Sequence, residues 1–558
     1  MKRYCFILLI SFSIVSLFGA CGGGDDPIPD PTPVNPTPEP DPDPDPEIPD
    51  YPELDAWRAP TYADDYTPLA SWNSRAQWNL ANVHDPTVMR ADDGYYYMYQ
   101  TDASYSNAHL GHGHFHGRRS RDLVNWEYRG ATMLEAPAWV LDSLNDIRAR
   151  MDLPAVTNPQ YGYWAPVARN VGGGKYRMYY SIVVNNYIKT GAPTSAAFDN
   201  SWTERAFIGM METGTPEVNS SWVDKGYVVC SASDKGRDDW TRPNQNNWEG
   251  YFKFNAIDPT LTITPEGEHW LTYGSWHSGF ATLQLDPATG LPLQKPALNP
   301  WSITDASGYG KLVARRGVGR WQASEAPEVV YNPETRYYYL FMAYDALEVP
   351  YNTRVARSRN VDGPYVDISG ANAIGANELL PVVTHPYKFM EGPGWVGIAH
   401  CCVFDDGEGN WYYSSQGRLP HDVPGINASN AVMMGHVRAI LWTADGWPLV
   451  MPERYAAVPR MPIVEAELTG DWEHIDLSYS YGNQKMAGVM TLGADHRVTA
   501  GTWSGSTWSY NAASQVLTIG QQQLYLAREC DWEASPRKHT IVYAAYGTNN
   551  KTYWGKKK

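Results

Sequence analysis

The sequence predicts an all-β protein: a five-bladed β-propeller followed by a small C-terminal β-barrel or sandwich domain. The first reason is a motif that occurs five times, each copy continuing as a short apolar run, a turn and an aromatic-rich strand. The copies begin at His84-Asp85-Pro86, Trp164-Ala165-Pro166, Ile257-Asp258-Pro259, Glu325-Ala326-Pro327 and Ala399-His400. The second reason is composition, since aromatic residues make up 13% of the chain and suit strands. Repeats of about four strands, arranged radially, form a propeller.

Further elements have their own signals. Second strands are expected at five aromatic-rich runs: Tyr95 to Tyr99, Tyr176 to Tyr180, Trp270 to Tyr273, Tyr337 to Phe341 and Trp411 to Tyr413. A third-strand motif in the first repeat, Arg119-Ser120, recurs in the fourth as Arg357-Ser358. The insertion from Ala136 to Met151 carries apolar residues at helical spacing and predicts a surface helix.

Four segments follow one another along the chain. Residues 1–21 have a basic end, an apolar core and Cys21, and together they resemble a bacterial lipoprotein signal peptide in which Cys21 becomes lipidated. The alternative is an ordinary cleaved signal peptide, which would give a periplasmic or secreted protein. Residues 22–52 are a Pro- and Asp-rich linker that cannot bury a core. We expect the propeller at 53–462 and an accessory β domain at 463–558.

Charge and cysteine content exclude some functions. The net charge is −17 and no basic cluster interleaves with aromatic residues, which argues against a nucleic-acid partner. Tyr and Trp rings also suit sugar binding, because a flat apolar face meets the sugar while the polar edge hydrogen-bonds. The cysteines beyond the leader (Cys230, Cys401, Cys402 and Cys530) lack zinc-ligand spacing. We expect these cysteines to be buried thiols, and the sequence leaves open whether two of them form a disulfide.

The repeated motif places carboxylates at one point. In a propeller the innermost strand of each blade starts near the axis, so Asp85, Asp258 and Glu325 are expected to share a cavity, at equivalent positions of their repeats. Two carboxylates that flank a glycosidic bond can hydrolyse it, one as acid and one as base or nucleophile. A third carboxylate nearby can raise the pKa of the acid.

The same motifs resemble glycoside hydrolase family 43, and within it the endo-α-1,5-L-arabinanases. The resemblance covers about residues 70 to 455 and rests on the three acid motifs, on Trp164-Ala165-Pro166 and on Tyr273-Gly274-Ser275-Trp276-His277-Ser278-Gly279. It implies an inverting hydrolase of arabinan and arabino-oligosaccharides, with Asp85 as general base, Glu325 as general acid and Asp258 as the residue that tunes and orients the acid. Inversion needs base and acid about 6.5–9.5 Å apart. Glu391-Gly392-Pro393 is a rival acid motif that lies out of register.

The resemblance also implies a metal and substrate contacts. His400 stands where arabinanases use a His to hold a hydrated calcium ion at the propeller centre, although Cys401-Cys402 replaces the usual neighbours. We expect the substrate to contact His84, Trp164, Ser275, Trp276 and Ser278, with Trp395 as another candidate sugar platform. The alternating His112, His114 and His116 could line the groove or bind a transition metal.

Two other functions remain open at this point. The first is an exo-acting α-L-arabinofuranosidase or β-xylosidase of the same family, because loop lengths alone do not show whether the groove is open at both ends. The second is a non-catalytic glycan-binding lipoprotein, which would not need three carboxylates. We expect a monomer whose partners are arabinan and, through the lipid anchor, the outer membrane at the cell surface.

Overall fold

A computed structural model describes residues 48–101, 108–185, 203–234, 252–276, 278–301, 307–317 and 322–558. The predicted signal segment with Cys21 and most of the predicted linker lie outside the described residues. Residues 48–558 form one compact unit. Within the described ranges, no helix has both the length and the apolar character needed to cross a bilayer.

Five four-stranded antiparallel sheets form the five blades, and in each sheet the strands follow one another in chain order. Their bounds are β1 Thr87–Arg90, β2 Tyr96–Tyr99, β3 Gly117–Ser120 and β4 Glu127–Gly130; β5 Tyr161–Asn170, β6 Tyr176–Asn185, β7 Thr203–Thr213 and β8 Val223–Cys230; β9 Thr260–Ile263, β10 His269–Tyr273, β11 Phe280–Leu285 and β12 Lys311–Ala314; β13 Ser324–Asn332, β14 Tyr337–Tyr344, β15 Asn352–Ser358 and β16 Val382–Thr384; and β18 Cys402–Asp405, β19 Trp411–Gly417, β20 Met434–Trp442 and β21 Pro448–Val450. The aromatic-rich runs are the second strands, as the sequence predicts.

The predicted helix is confirmed as α2, Ala138–Arg150. It buries Val140, Leu144 and Ile147, which recur at helical spacing, against the first two blades. A shorter helix, α1 (Pro52–Ala56), precedes the propeller. The four cysteines outside the leader are all buried and free, so they form no disulfide.

Each blade starts from a residue with a left-handed backbone, although each of these residues carries a side chain. Their φ angles are 46° at Asp85, 39° at Ala165, 54° at Asp258, 55° at Ala326 and 55° at His400. In the second and fourth blades this residue belongs to a β-bulge, because strand pairing shifts between Trp164 and Val167 and between Glu325 and Glu328. A non-glycine residue in this region costs about 1–3 kcal/mol and persists only where its surroundings hold it. Five strained residues therefore ring the axis.

The ring closes through side chains, because the first and last blades share no strand. Inner strand β1 contacts both β5 and β18, so the fifth blade meets the first. Close to the axis, Arg169 and Glu328 form an ion pair of 2.6 Å. Arg169 also donates to Thr87 Oγ1 at 3.2 Å, while Glu328 accepts from Thr260 Oγ1 at 2.6 Å and from the Val403 amide at 3.1 Å. This pair connects all five blades.

The C-terminal domain is an eight-stranded antiparallel sheet in the order β25-β24-β22-β30-β29-β28-β27-β26. Its strands are β22 Gly470–Asp476, β24 Gly488–Leu492, β25 Val498–Ala500, β26 Trp508–Asn511, β27 Val516–Ile519, β28 Gln522–Asp531, β29 Lys538–Tyr546 and β30 Thr552–Lys557. A bridge between Arg497 and Thr507 joins the two edges, so the sheet closes into a barrel. Buried apolar side chains such as Trp472 and Leu517 fill its interior.

This domain packs on the propeller through a shared core. Ile475 and Trp554 of the barrel belong to the same buried cluster as Tyr387 and Leu449 of the propeller. A two-stranded parallel ribbon, β17 (Tyr387–Lys388) with β23 (Lys485–Met486), adds backbone hydrogen bonds. Lys556 is buried with Glu453, at 3.1 Å, in the same interface. The two domains are thus joined by apolar and polar contacts.

Removal of the Arg169 charge is expected to weaken the whole ring. Arg169→Met leaves the Glu328 carboxylate, whose side chain is 4% exposed, without its cation, so we expect a loss of about 3–5 kcal/mol in the free energy of unfolding. Urea unfolding followed by tryptophan fluorescence measures it. The control is Lys311→Met, which breaks an exposed 2.8 Å pair with Asp362 and should cost about 1 kcal/mol or less. Equal effects of the two variants would contradict the role given to this pair.

Candidate active site

The blade starts surround a small cavity on the axis. Asp85, Asp258 and His400 line it together with Ala165 and Ala326, the two other left-handed residues. Its volume is about 20 Å³, which is room for about one water or one ion. Glu325 directly precedes Ala326. The fold thus brings the three predicted acids and the predicted metal-binding His together, each supplied by a different blade.

Glu325 reaches this site from a different position than predicted. The left-handed residue equivalent to Asp85 and Asp258 is Ala326, so Glu325 stands one residue earlier, at the position of His84. The prediction that all three acids occupy equivalent positions is therefore wrong for Glu325. The repeated motif itself contains this offset, because Pro327 corresponds to Pro86 and Pro259, so that Ala326 occupies the position of the two Asp residues.

Asp85 is held as an ionised carboxylate. Its Oδ1 lies 2.9 Å from His400 Nδ1, and its Oδ2 accepts a hydrogen bond of 2.5 Å from the Thr101 hydroxyl. Its backbone N–H donates to the Gln416 side chain at 2.8 Å. Burial alone would raise the pKa of Asp85, but the charge and hydrogen bond of His400, with smaller effects from His84 and Thr101, bring this pKa down to about 2. At neutral pH the group can accept a proton.

Asp258 has the opposite electrostatic environment. It is 5% exposed, and its pKa is raised to about 7 because burial, together with the Glu325 and Asp85 charges, outweighs the lowering effect of His400. Its Oδ2 accepts a hydrogen bond of 3.0 Å from the backbone N–H of Ala326. Because Ala326 follows Glu325, Asp258 fixes the backbone from which the Glu325 side chain extends.

Three hydrogen-bond donors fix the Glu325 carboxyl group. Oε2 accepts from Trp276 Nε1 at 2.8 Å and from Ser275 Oγ at 3.3 Å, and Oε1 accepts from the Tyr351 hydroxyl at 2.6 Å. The backbone N–H of Trp276 also donates to the carbonyl of Ser324 at 2.7 Å, which holds Trp276 beside strand β13. Burial raises the pKa of Glu325, while the Tyr351 and Trp276 hydrogen bonds and the His400 charge lower it. The net shift is upward, which favours the protonated form of an acid.

His400 lies among the three acids. Burial lowers the pKa of an imidazole, yet Asp85, followed by Asp258 and Glu325, raises the pKa of His400 to about 9. Since Nδ1 faces Asp85 at 2.9 Å, Nε2 is the ring nitrogen left for a metal, an arrangement in which a carboxylate orients a ligating His. His400 Nε2 and the one-ion cavity fit a single weakly held cation, whose water ligands would have to lie outside this cavity. A bound metal would take the place of the second imidazole proton.

Burial changes the interpretation of three predicted substrate contacts. His84 is 0% exposed and Ser278 is 6% exposed, with its hydroxyl bonded to the carbonyl of Phe252. Ser275 is 2% exposed and bonds Glu325. Their burial gives no support to direct contacts with a substrate, so for these three residues the contacts stay predictions. Trp164 and Trp276 are half-buried and keep an exposed part.

Two further candidates, Trp395 as a sugar platform and Glu391 as the acid, have surroundings that do not fit these roles. Trp395 is 3% exposed, and its ring meets the edge of His436 with centroids 4.4 Å apart, so it belongs to the core and is not a sugar platform. The rival acid Glu391 is exposed on the surface. It therefore does not belong to the cluster of carboxylates at the axis.

The three alternating histidines do not form one site. His112 stacks on Trp72 with centroids 3.6 Å apart, and His114 stacks on Tyr163 at 3.3 Å. His116 is buried and bonds the Tyr128 hydroxyl at 2.7 Å. Because each ring has a different partner, the metal reading of this stretch finds no support. His112 and His114 keep exposed surface and stay candidates for lining the groove.

The sequence did not single out the residues that support the acids. Thr101 follows the second strand of the first blade, and Tyr351 precedes the third strand of the fourth. Both positions are strand ends on the same side as the blade starts, since Thr87 pairs with Tyr99 and Ser324 with Tyr344. Polar or aromatic residues at these strand ends were the available signal.

Comparisons with known proteins agree with this arrangement. A family model described as "Glycosyl hydrolases family 43" matches residues 80–448, more than half of the chain, and one described as "C-terminal lipocalin-like domain" matches residues 452–555. The extracellular endo-α-(1→5)-L-arabinanase 2 of Bacillus subtilis strain 168 is 23% identical over 504 residues, which are 85% of this chain and 93% of the relative. The extracellular endo-α-(1→5)-L-arabinanase of Thermotoga petrophila is 23% identical over 514 residues, 87% of this chain and 95% of the relative.

One solved structure shows the same fold over most of the chain. The crystal structure of endo-1,5-α-L-arabinanase from Thermotoga petrophila RKU-1 is 23% identical and covers 86% of this chain and 99% of its own, with a TM-score of 0.63. Both the propeller and the trailing β domain are therefore an architecture that occurs in other proteins.

Proposed function

The chain belongs to glycosyl hydrolase family 43, and on this basis we propose that it is an endo-acting hydrolase of the α-1,5-L-arabinofuranosidic bonds of arabinan. The observation that carries the proposal is the set of three carboxylates at the blade starts, of which Asp85 is bonded to His400 and Glu325 to the neutral donors Trp276 and Tyr351. The names of the two relatives that span most of the chain support the substrate and the internal cleavage.

In the proposed reaction Asp85 is the general base and Glu325 the general acid. Asp85 takes a proton from a water whose oxygen attacks the anomeric carbon. Glu325 gives its proton to the glycosidic oxygen as the bond from that oxygen to the anomeric carbon breaks. The attack inverts the anomeric carbon in a single step. The low pKa of Asp85 keeps this carboxylate ionised, and the raised pKa of Glu325 favours its protonated form. A base and an acid require these two states.

Asp258 would orient the acid and keep it protonated. Its hydrogen bond to the Ala326 N–H fixes the backbone beside Glu325. When Asp258 is ionised, its negative charge disfavours ionisation of Glu325. A carboxylate that titrates together with the acid thus extends the pH range over which one proton stays in the pair.

The exposed part of Trp276 is the proposed sugar contact next to the acid. Its indole N–H is bonded to Glu325 at 2.8 Å, so a sugar that packs on this ring lies beside the proton donor. Trp164 precedes Ala165, which lines the axial cavity, and it offers a second half-buried ring. A neutral furanose chain needs such rings and hydrogen-bonding edges rather than a countercharge.

We expect Ca²⁺ to bind at His400 with water ligands and to fix the imidazole that orients Asp85. Its charge would stabilise the ionised base. After chelation, addition of Ca²⁺ should raise the melting temperature of the wild type, because an ion that binds only the folded protein stabilises it. His400→Gln should lose this response, and His112→Gln, at an exposed His, should keep it. An unchanged melting temperature of the wild type would refute the calcium site.

We also propose that the mature protein is anchored in the outer membrane through a lipidated Cys21. The Pro- and Asp-rich segment that follows would link this anchor to the propeller. Labelling of producing cells with a clickable palmitate analogue should mark the wild type but not Cys21→Ala. Label on both proteins, or on neither, would contradict the anchor.

Product analysis tests the proposed activity. On linear arabinan, the wild type should release a mixture of oligosaccharides from the earliest times, while xylan should stay intact. Glu325→Gln and Asp85→Asn remove the acid and the base, so we expect each to lower kcat by about 10²–10⁴-fold or more. Reducing-end release and chromatography of the products measure both effects.

The control for these variants is Glu391→Gln, which alters the exposed rival acid and should keep full activity. Circular dichroism should show that all three variants fold. Early release of only arabinose, or of one short product, would replace endo by exo action. Full activity of Glu325→Gln or Asp85→Asn would overturn the residue assignment, and binding of arabinan without cleavage would leave only a glycan-binding role.

A further inference from the structure

The C-terminal domain contributes one side chain to the network around the acid. Tyr479 follows β22, and its hydroxyl donates a hydrogen bond of 2.6 Å to Asp345 Oδ2 of the propeller. The Tyr479 ring lies under the Arg354 guanidinium, 4.9 Å from its centroid, and meets the His385 ring edge-on at 6.0 Å. The neighbouring Ser480 N–H donates to His385 Nε2 at 3.1 Å. Propeller side chains thus hold this residue in place.

Asp345 is the centre of this network. It is 1% exposed, so its carboxylate depends on hydrogen-bond donors from the protein. Oδ1 accepts from Arg316 Nη1 at 2.8 Å, and Oδ2 accepts from Asn352 Nδ2 at 3.1 Å as well as from Tyr479. When a buried charge loses one of its hydrogen-bond donors, the loss is costly. We therefore expect Asp345 and its remaining donors to shift so that the carboxylate stays bonded.

A backbone route runs from Asp345 to Glu325. The Asp345 N–H and Arg316 Nη1 both donate to the carbonyl of Ala323, at 3.1 Å and 2.8 Å. Ala323 stands two residues before Glu325, and the next carbonyl, that of Ser324, accepts from the Trp276 N–H at 2.7 Å. The position of Asp345 therefore sets the strand from which the acid extends.

A side-chain route runs in parallel. Asn352 bonds Asp345, and its Nδ2 also donates to the carbonyls of Tyr344 and Pro350 at 3.2 Å and 2.9 Å. The residue between Pro350 and Asn352 is Tyr351, whose hydroxyl donates to Glu325 Oε1 at 2.6 Å. Tyr351 is 0% exposed. A displacement of Asp345 thus reaches both the backbone and the carboxyl group of Glu325.

We propose that Tyr479 is a positioning residue for the general acid, by which the C-terminal domain completes the support of Glu325. This inference rests on the proposed function, because it takes Glu325 as the proton donor. The barrel then has a role in catalysis without touching the substrate. Tyr479→Phe removes only the hydroxyl and leaves the ring between Arg354 and His385.

The predicted effect is selective for reactions that need a proton on the leaving group. When a linear arabino-oligosaccharide is cleaved, the leaving group is a sugar alcohol group, which needs a proton from the acid. An aryl arabino-oligosaccharide with a dinitrophenolate leaving group departs without protonation, so its hydrolysis does not depend on where the acid stands. Tyr479→Phe should therefore lower kcat on the oligosaccharide by about tenfold, with KM nearly unchanged, and leave kcat on the dinitrophenyl substrate as in the wild type.

The matched control is Tyr546→Phe. Its hydroxyl also bridges the two domains, donating to the carbonyl of Pro448 at 2.5 Å, but its partner lies in the last strand of the fifth blade. It should leave kcat unchanged on both substrates. Wild-type values for Tyr479→Phe, or equal losses on the two substrates, would overturn the positioning role, because a general structural defect acts on both reactions.

Glu325→Gln separates this inference from the proposed function. If Glu325 is the acid, that variant loses the oligosaccharide reaction and keeps the dinitrophenyl reaction, and Tyr479→Phe should show a weaker version of the same pattern. If the wild type cleaves neither arabinose substrate, or if Glu325→Gln loses both reactions equally, the proposed function fails, and the inference fails with it. If Glu325→Gln loses only the oligosaccharide reaction while Tyr479→Phe affects both reactions alike or neither, the proposed function stands and this inference is refuted.

Discussion

The left-handed backbone at each blade start is the constraint on which the rest of this site depends. A residue with a side chain adopts φ between 39° and 55° there only when its neighbours leave it no alternative. The neighbours in question are the adjoining blades, which the buried Arg169–Glu328 pair connects close to the axis. Two of the five strained residues are the acids Asp85 and Asp258, a third is His400, and a fourth, Ala326, carries Glu325 beside it. The geometry of the acids is therefore a property of the closed ring rather than of any one blade.

One cation then differentiates the three carboxylates, of which Asp258 is buried and Asp85 and Glu325 are half-buried. His400 bonds Asp85 directly and lowers its pKa, while Asp258, which has a backbone N–H as its hydrogen-bond donor, keeps a raised pKa. Glu325 is surrounded by neutral donors, and burial dominates. Similar carboxyl groups thereby become suited to different tasks, because burial and one nearby positive charge act on them in different proportions. A bound calcium ion would supply the same positive charge without an imidazole proton.

The sequence was sufficient for the architecture and for the carboxylates that gather at the axis, because both are encoded locally. Five motifs in order predict five blades, and an Asp-Pro or Glu-Ala-Pro motif at a blade start predicts a carboxylate at the axis. Burial was not encoded locally: His84 and Ser278 are enclosed by segments distant in the sequence. The register of Glu325 was misjudged although it is local, because Glu325 stands two residues before its proline whereas Asp85 and Asp258 directly precede theirs. Tyr479 was out of reach of the sequence, because it lies 134 positions from Asp345.

Asp85 and Glu325 are proposed to act as base and acid in one displacement. This proposal is tested most directly by the anomeric configuration of the first product. ¹H NMR of an arabino-oligosaccharide, recorded immediately after a large amount of enzyme is added, observes the new reducing end before it equilibrates. The account predicts a β-configured product from the α-linked substrate, because water attacks from the face opposite the leaving group. A product that first appears in the α configuration would show retention through a covalent intermediate and would contradict it.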